Sequence, residues 1–175
     1  MKTKIILSGC GGKMGHAITA LVAEREDCEI CAGVDLVSTG HEGFPVFPSI
    51  FDYKGEADVL IDFSHPSVLD SLLAYGKDRH LPLVLCTTGY SKEQTAAVRA
   101  ASAEIPIFSS GNMSLGINLL IELSKKAAQV LGEGFDIEIV EMHHNQKIDA
   151  PSGTALMLAD AISEVEPEEM RYMYD

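Results

Sequence analysis

Short runs of consecutive apolar residues alternate with amphipathic stretches through the first 110 residues or so of the chain. The runs are typical of strands buried on both faces of a sheet, and the stretches with a period of three to four are typical of helices. Strands are predicted at residues 4–8, 29–35, 57–63, 83–86 and 105–108, and helices at 13–26, 64–80 and 91–103. This β-α-β alternation predicts an α/β fold with a parallel sheet and helices on both of its faces.

Three local expectations accompany this pattern. The apolar face of the first helix is expected to consist of Met14, Ala17, Ile18, Leu21 and Val22. Residues 40–53 contain glycines and prolines and are predicted to form a connection. The next helix is expected to open at Ser64-His65-Pro66-Ser67, because serine caps helices well and proline fits the first turn.

The pattern changes after residues 111–116, where we place a domain boundary. It predicts a dinucleotide-binding domain at 1–112 and a partial mixed α/β substrate-binding or oligomerisation domain at 113–175. The second part contains a predicted helix at 117–131, a strand at 135–142 with alternating apolar and acidic residues, and a helix from Ser152 or Gly153 to 161. One strand has no partner in so short a domain, so it is expected to be disordered or to pair with another chain.

Composition narrows the class of protein. The 175 residues are 46% hydrophobic and 22% charged, as in a soluble globular protein, and no apolar run approaches the length of a membrane helix. The net charge of −13 makes nucleic acid an unfavourable partner, and a cytoplasmic location is expected. Cys28 and Cys31 would point to opposite faces of a strand, so no metal site is predicted there.

A glycine-rich turn lies between the first predicted strand and helix. Gly9, Gly12 and Gly15 would let the chain turn tightly and let its backbone approach a pyrophosphate at the start of the helix. Asp35 ends the second strand 20 residues after Gly15, where an acid can bind ribose hydroxyls. The alternative is a tight turn beside a surface aspartate.

Three further loops follow predicted strands: Asp62-Phe63-Ser64, Cys86-Thr87-Thr88-Gly89 and Ser110-Gly111-Asn112-Met113. Ligands bind at the carboxyl ends of strands in open α/β sheets, so these loops are expected to ring one crevice. Each of them, taken singly, could equally be an ordinary turn.

The second part contains a stretch suited to proton transfer and anion binding. His143, His144 and Lys147 lie within five residues, and imidazole exchanges protons near neutral pH. Pro151-Ser152-Gly153-Thr154 opens a helix, where N–H groups and hydroxyls converge on an anion. The combination suits a small carboxylate that must be protonated. Solvent-facing histidines are the alternative, and a metal at adjacent histidines is disfavoured without a third ligand close by.

The order of these motifs resembles the dihydrodipicolinate reductase family. The resemblance rests on the glycine turn, Asp62-Phe63-Ser64, Thr87-Thr88-Gly89, the stretch from Asn112 to Asn118, and above all His143–Ala155. It implies a Rossmann-like domain followed by a mixed α/β domain that forms a tetramer. It also implies NADH- or NADPH-dependent reduction of 4-hydroxy-tetrahydrodipicolinate to tetrahydrodipicolinate, in lysine and diaminopimelate biosynthesis.

The resemblance implies a role for each matching residue. The pyrophosphate and adenosine ribose of the cofactor would lie against Gly9, Cys10, Gly11, Gly12, Lys13, Met14 and Asp35. Its nicotinamide end would lie against Cys86, Thr87, Thr88, Ser110, Gly111, Asn112 and Met113. The proton donors would be His143 and Lys147, and the residues that bind the dicarboxylate substrate would be His144, Gly153 and Thr154, without a metal.

Two alternatives accompany this interpretation. Family members continue for roughly a further third of their length, so the chain could be a cofactor-binding fragment without activity. It could also be a related amino-acid dehydrogenase with a similar first domain. NADH is the favoured cofactor, because Asp35 would place a carboxylate where the 2′-phosphate of NADPH would lie, and Leu36 follows it instead of a cation.

Overall fold

The chain divides into two compact units, Met1–Ser110 and Gly111–Asp175. The computed structural model describes residues 1–37, 43–145, 150–167 and 170–174.

A parallel sheet forms the centre of the first unit. Its six strands have the order β3-β2-β1-β4-β5-β6, and each pair of neighbours runs parallel. The strands are β1 (Thr3–Ser8), β2 (Cys28–Val34), β3 (Val46–Phe47), β4 (Val59–Asp62), β5 (Leu83–Leu85) and β6 (Ile107–Ser109). This is the Rossmann strand order, and the direction of winding reverses between β1 and β4. The predicted Rossmann-like parallel sheet is confirmed.

Three helices connect these strands: α1 (Lys13–Ala23), α2 (Leu69–Arg79) and α3 (Lys92–Ala101). Side chains from the central strands and from α2 and α3 form the core, among them Ile6, Leu60, Leu72, Leu83 and Ala101. A 3-10 turn at Pro66–Val68 precedes α2, and the side chain of His65 caps it by accepting from the Ser67 N–H. Ser64 bonds instead to Asp62 and caps no helix, and α2 itself begins at Leu69, later than the sequence predicts.

Two local expectations are wrong. On α1, Met14 and Leu21 are exposed, and Gly15 is the residue that is buried. The helix approaches the sheet on its glycine side because Gly15 packs against backbone carbonyls, as described below. Residues 40–53 were predicted as a connection, yet β3 and a 3-10 helix at Ile50–Asp52 lie within them. A two-residue strand is too short to produce a hydrophobic period.

The second unit contains two helices that pack against each other, α4 (Leu115–Leu131) and α5 (Gly153–Ser163), with a short 3-10 helix at Gly132–Gly134. The predicted helices are confirmed. The predicted strand at 135–142 is not, because those residues form no strand. A strand needs a neighbouring strand to form hydrogen bonds with its backbone N–H and C=O groups. The described residues of this unit contain no strand that could do so.

No helix in the described part of the chain is long and apolar enough to cross a membrane.

Candidate functional site

The glycine turn after β1 is shaped by close backbone contacts. Gly9 has φ of 76°, and its N–H donates to the Val34 carbonyl oxygen at 2.8 Å. A Cβ on Gly9 would lie 2.5 Å from the carbonyl oxygen of Phe63, and a Cβ on Gly15 would overlap the carbonyl oxygens of Gly9 and Cys10. Any side chain at either position would therefore push the turn away from the sheet.

The N-terminus of α1 faces the same turn. Its N-cap is Gly12, which supplies no side-chain cap, and its first turn contains no acidic residue. The first helical residue is Lys13, which is exposed. A helix start with a positive dipole end, a lysine and no carboxylate of its own is suited to binding an anion.

Asp35 connects the end of β2 to this turn. Its carboxylate accepts from the Gly11 N–H at 2.9 Å and from the Val37 N–H at 3.1 Å. Beneath the turn, Cys10 is buried, and burial followed by the charge of Asp35 raises the pKa of its thiol. Asp35 therefore fixes the turn through its hydrogen bond to Gly11.

A buried carboxylate at the end of β4 organises the neighbouring loops. Asp62 is fully buried, and its Oδ1 accepts from the backbone N–H of Ser64 at 3.2 Å and from the Ser64 hydroxyl. Its Oδ2 accepts from the Thr87 hydroxyl at 2.7 Å and lies 3.5 Å from the Tyr90 hydroxyl. Asp62 thus joins the loops after β4 and β5.

The loop after β5 begins with two buried residues, Cys86 and Thr87. Burial, with a smaller contribution from Asp62, raises the pKa of Cys86 to about 11, so its thiol is neutral at physiological pH. The same two causes raise the pKa of Tyr90. The Ser110 N–H donates to the Leu85 carbonyl oxygen at 3.0 Å, which places the loop after β6 beside this one. Thr88 is exposed at the surface of the loop.

In the second unit, Asn112 connects the start of α4 to the start of α5. Its Oδ1 accepts from the Ser114 N–H at 2.9 Å, and its Nδ2 donates to the Thr154 hydroxyl oxygen at 2.9 Å. Asn118, one turn into α4, donates to the carbonyl oxygens of Asn112 and Ser114. The neighbouring Met113 and Gly111 are exposed.

The start of α5 is held by a second carboxylate. Ser152 is buried and caps the helix by accepting from the Ala155 N–H at 3.1 Å. The Ser152 N–H donates to Glu141 Oε1 at 2.7 Å, and the other oxygen of Glu141 lies 3.6 Å from Nδ1 of His143. The peptide bond between Ala150 and Pro151 is cis.

The structure brings together two groups of predicted site residues, one in each unit. Around the carboxyl ends of β1, β2, β4 and β5 lie Gly9, Cys10, Gly11, Gly12, Lys13, Met14, Asp35, Cys86, Thr87 and Thr88. The second unit contains the exposed His143 and His144, and Gly153 and Thr154 at the start of α5. Lys147 lies outside the described residues.

Sequence reasoning gave no individual role to Asp62 or Glu141. Both are acids at or near the end of an apolar run, and that position is a signal that could have marked them. The described residues contain no group of three or more His, Cys, Asp or Glu side chains arranged to hold a metal ion.

Two family profiles match the chain. "Dihydrodipicolinate reductase, N-terminus" matches residues 3–113, and "Dihydrodipicolinate reductase, C-terminus" matches residues 116–173. A 4-hydroxy-tetrahydrodipicolinate reductase from Clostridium tetani (strain Massachusetts / E88) is 52% identical over 99% of this chain and 68% of its own length. One from Caldanaerobacter subterraneus subsp. tengcongensis is 53% identical over the same shares.

Among solved structures, a dipicolinate-bound dihydrodipicolinate reductase from Paenisporosarcina sp. TG-14 is similar to this chain. It is 28% identical with a TM-score of 0.75, over 99% of this chain and 70% of that one. Profiles that match most of the chain and relatives at about half identity confirm the family that the motifs indicate. The chain belongs to the dihydrodipicolinate reductase family, whose members are nicotinamide-dependent oxidoreductases.

Proposed function

We propose that this protein catalyses the reduction of 4-hydroxy-tetrahydrodipicolinate to tetrahydrodipicolinate with NADH or NADPH, a step of lysine and diaminopimelate biosynthesis. In the balanced reaction, the substrate loses water, gains a hydride at an electron-poor ring carbon and gains a proton. The observation that carries the proposal is the pairing of His143 with an anion-binding helix start through one carboxylate, Glu141, in a chain of this family.

The first unit fits a dinucleotide. The turn has no space for a Cβ at Gly9 or Gly15, and α1 begins without a side-chain cap. Residues 9–14 would hold the pyrophosphate, and Asp35 would bind the adenosine ribose. The nicotinamide supplies the hydride when the cofactor is bound, and the loops at 86–88 and 110–113 would hold that end.

The start of α5 is suited to grip a substrate carboxylate. The Ser114 N–H requires an acceptor, which fixes Oδ1 of Asn112 on that side and turns its Nδ2 toward Thr154. The Thr154 oxygen therefore accepts, and its own hydroxyl proton remains available to donate. With the backbone at Gly153 and with His144, this donor would bind one carboxylate of the dicarboxylate.

Protonation is assigned to His143 and Lys147. An imidazole can deliver a proton near neutral pH, and Oε2 of Glu141 lies 3.6 Å from Nδ1 of His143. Lys147 is assigned as the second donor by its match to the family motif. A positive side chain there would also attract the dianionic substrate to a protein of net charge −13.

We also propose that the protein forms a homo-oligomer, a tetramer in the complete family form. Support comes from α4, where Leu119, Leu123 and Val130 recur at helical spacing and are all more than half exposed. Burying such a row against another copy would remove apolar area from water.

The test is a spectrophotometric assay with freshly prepared substrate and NADH. Oxidation of NADH that depends on this substrate and is accompanied by tetrahydrodipicolinate supports the proposal. Turnover of aspartate in place of this substrate would instead support an amino-acid dehydrogenase, and cofactor binding without turnover of either would support a binding module.

A further inference from the structure

We propose that Glu141 is a positioning residue that sets the tautomer and orientation of His143 while holding the helix start that binds substrate. The proposal rests on the proposed function, since Glu141 would hold in place the residue that supplies a proton in that reaction.

The two oxygens of Glu141 face different partners. Oε1 accepts from the Ser152 N–H at 2.7 Å, an ordinary hydrogen bond to a buried residue. Oε2 lies 3.6 Å from Nδ1 of His143, which is longer than a hydrogen bond but within ion-pair distance. The side chains of His143 and Glu141 are 39% and 27% exposed, so water screens this contact only in part. Such contacts are often long in the free protein and shorten when substrate binds.

A carboxylate in this place has two consequences for the imidazole. It favours the tautomer that carries its proton on Nδ1, which leaves Nε2 as the nitrogen that exchanges a proton with substrate. It also orients the ring, because Nδ1 is held on the side of Oε2 of Glu141. Because the same carboxylate bonds to Ser152, the position of the proton donor is tied to that of the residues that would grip the substrate carboxylate.

Two substitutions separate these roles. In Glu141→Gln, the amide oxygen can still accept from the Ser152 N–H, but the amide NH₂ then faces His143 and cannot accept from Nδ1. In Glu141→Ala, both contacts are lost. We expect Glu141→Gln to keep the unfolding temperature and KM near those of the wild type. Its kcat should fall at least about tenfold. This loss is a part of the ~10²–10⁴-fold rate enhancement that general acid catalysis contributes. Glu141→Ala should lower kcat, raise KM and lower the unfolding temperature.

The tautomer can be read without any turnover. The ¹⁵N NMR signals of the His143 imidazole are assigned as those that disappear in His143→Asn. In the wild type, the neutral ring should carry its proton on Nδ1. In Glu141→Gln, the population of rings should shift toward the tautomer protonated on Nε2. An unchanged tautomer in Glu141→Gln overturns the proposal, and so does an unchanged kcat.

His143→Ala distinguishes failure of this proposal from failure of the function. If His143→Ala keeps full turnover, the assignment of His143 itself is wrong, and the role of Glu141 fails with it. If His143→Ala is impaired and Glu141→Gln is not, only the inference on Glu141 fails. Adding Glu141→Gln to His143→Ala should lower kcat no further, whereas an additional tenfold loss would show that Glu141 acts independently of His143.

Discussion

At the scale of single residues, buried and half-buried carboxylates organise the loops that are to bind ligands. Asp62 has no exposed surface and accepts hydrogen bonds from two different loops, at Ser64 and Thr87. An ionised carboxylate is acceptor-only, and each of its oxygens here faces a donor. Glu141 is arranged similarly, since one of its oxygens accepts from the Ser152 N–H and the other lies beside His143.

The network around Asp62 predicts a selective loss of stability. Asp62→Asn would turn an amide NH₂ toward either Thr87 or the Ser64 backbone, leaving a buried donor without an acceptor. We expect the free energy of unfolding to fall by about 1–3 kcal/mol in urea titrations. Asp78→Asn, an exposed position near the end of α2, is the matched control and should change it by less than about 0.5 kcal/mol. Equal effects of the two substitutions would contradict the role given to Asp62.

Asp35 predicts the cofactor preference. Its carboxylate is fixed by the Gly11 and Val37 N–H groups, and the next residue, Leu36, is exposed and uncharged. A 2′-phosphate beside this carboxylate would be disfavoured by roughly 1 kcal/mol or more, although Lys13 could offset part of this. We therefore expect NADH to bind at least as tightly as NADPH in fluorescence titrations. NADPH binding tenfold tighter than NADH would show that Asp35 does not select the cofactor.

The roles assigned to His143 and Lys147 predict that removing either side chain slows the chemical step and leaves cofactor binding unchanged. His143→Ala and Lys147→Ala should each lower kcat by about 10²–10⁴-fold, because each would remove a proton donor. The dissociation constant for NADH should stay within about twofold, since neither residue is among those assigned to bind the cofactor. Near-normal turnover in both variants would remove the basis for these roles.

At the scale of elements, the hydrophobic pattern was sufficient to predict the parallel sheet and its helices, but it did not predict every segment correctly. Apolar periods and capping residues together located α1 to α5 to within about five residues. The two-residue β3 was missed because it is too short to have a period. Apolar and polar residues alternate at 135–142 as they do in a strand. Such alternation shows only which face would be apolar, and a strand also requires a neighbouring strand to pair with.

Two of the helical glycines, Gly15 in α1 and Gly116 in α4, predict opposite effects of the same substitution. In Gly15→Ala, the new Cβ would overlap carbonyl oxygens of the glycine turn, so both NADH affinity and unfolding temperature should fall. In Gly116→Ala, the nearest atom to the new Cβ, Ser114 Oγ, is 3.8 Å away, and alanine favours a helix by up to about 1 kcal/mol. Equal NADH affinity for Gly15→Ala and the wild type would contradict the pyrophosphate site assigned to this turn.

At the scale of the whole molecule, the second unit exposes many apolar side chains. Leu115, Leu119, Leu123 and Val130 on α4, and Phe135 and Val140 after it, are each more than half exposed. Patches of this kind mark surfaces that associate. We therefore expect an isolated copy of the chain to be poorly stabilised in this region.

This surface leads us to predict self-association through α4. We expect Leu123→Glu to lower the mass measured by light scattering at a given concentration, because a charge would enter the apolar row. Gln129→Glu adds the same charge away from that row and should leave the mass unchanged. An unchanged mass for Leu123→Glu would contradict association through α4.

The sequence indicated candidate site residues, but it did not indicate the hydrogen bonds that connect them. The glycine turn, Asp35 and the stretch from His143 to Thr154 could be found because each motif is local. The hydrogen bonds from Thr87 to Asp62 and from Ser152 to Glu141 join residues 25 and 11 positions apart. Only the folded chain brings such partners together, so no local pattern predicts them.

Transfer of a labelled hydride tests the central claim most directly. The chain is incubated with freshly prepared 4-hydroxy-tetrahydrodipicolinate and with NADH carrying deuterium at the transferable C4 position, and the product is analysed by mass spectrometry. The account predicts tetrahydrodipicolinate with one carbon-bound deuterium, formed in step with NADH oxidation and nearly absent in His143→Ala. NADH that is bound but never oxidised, or oxidised without deuterium entering the product, would contradict it.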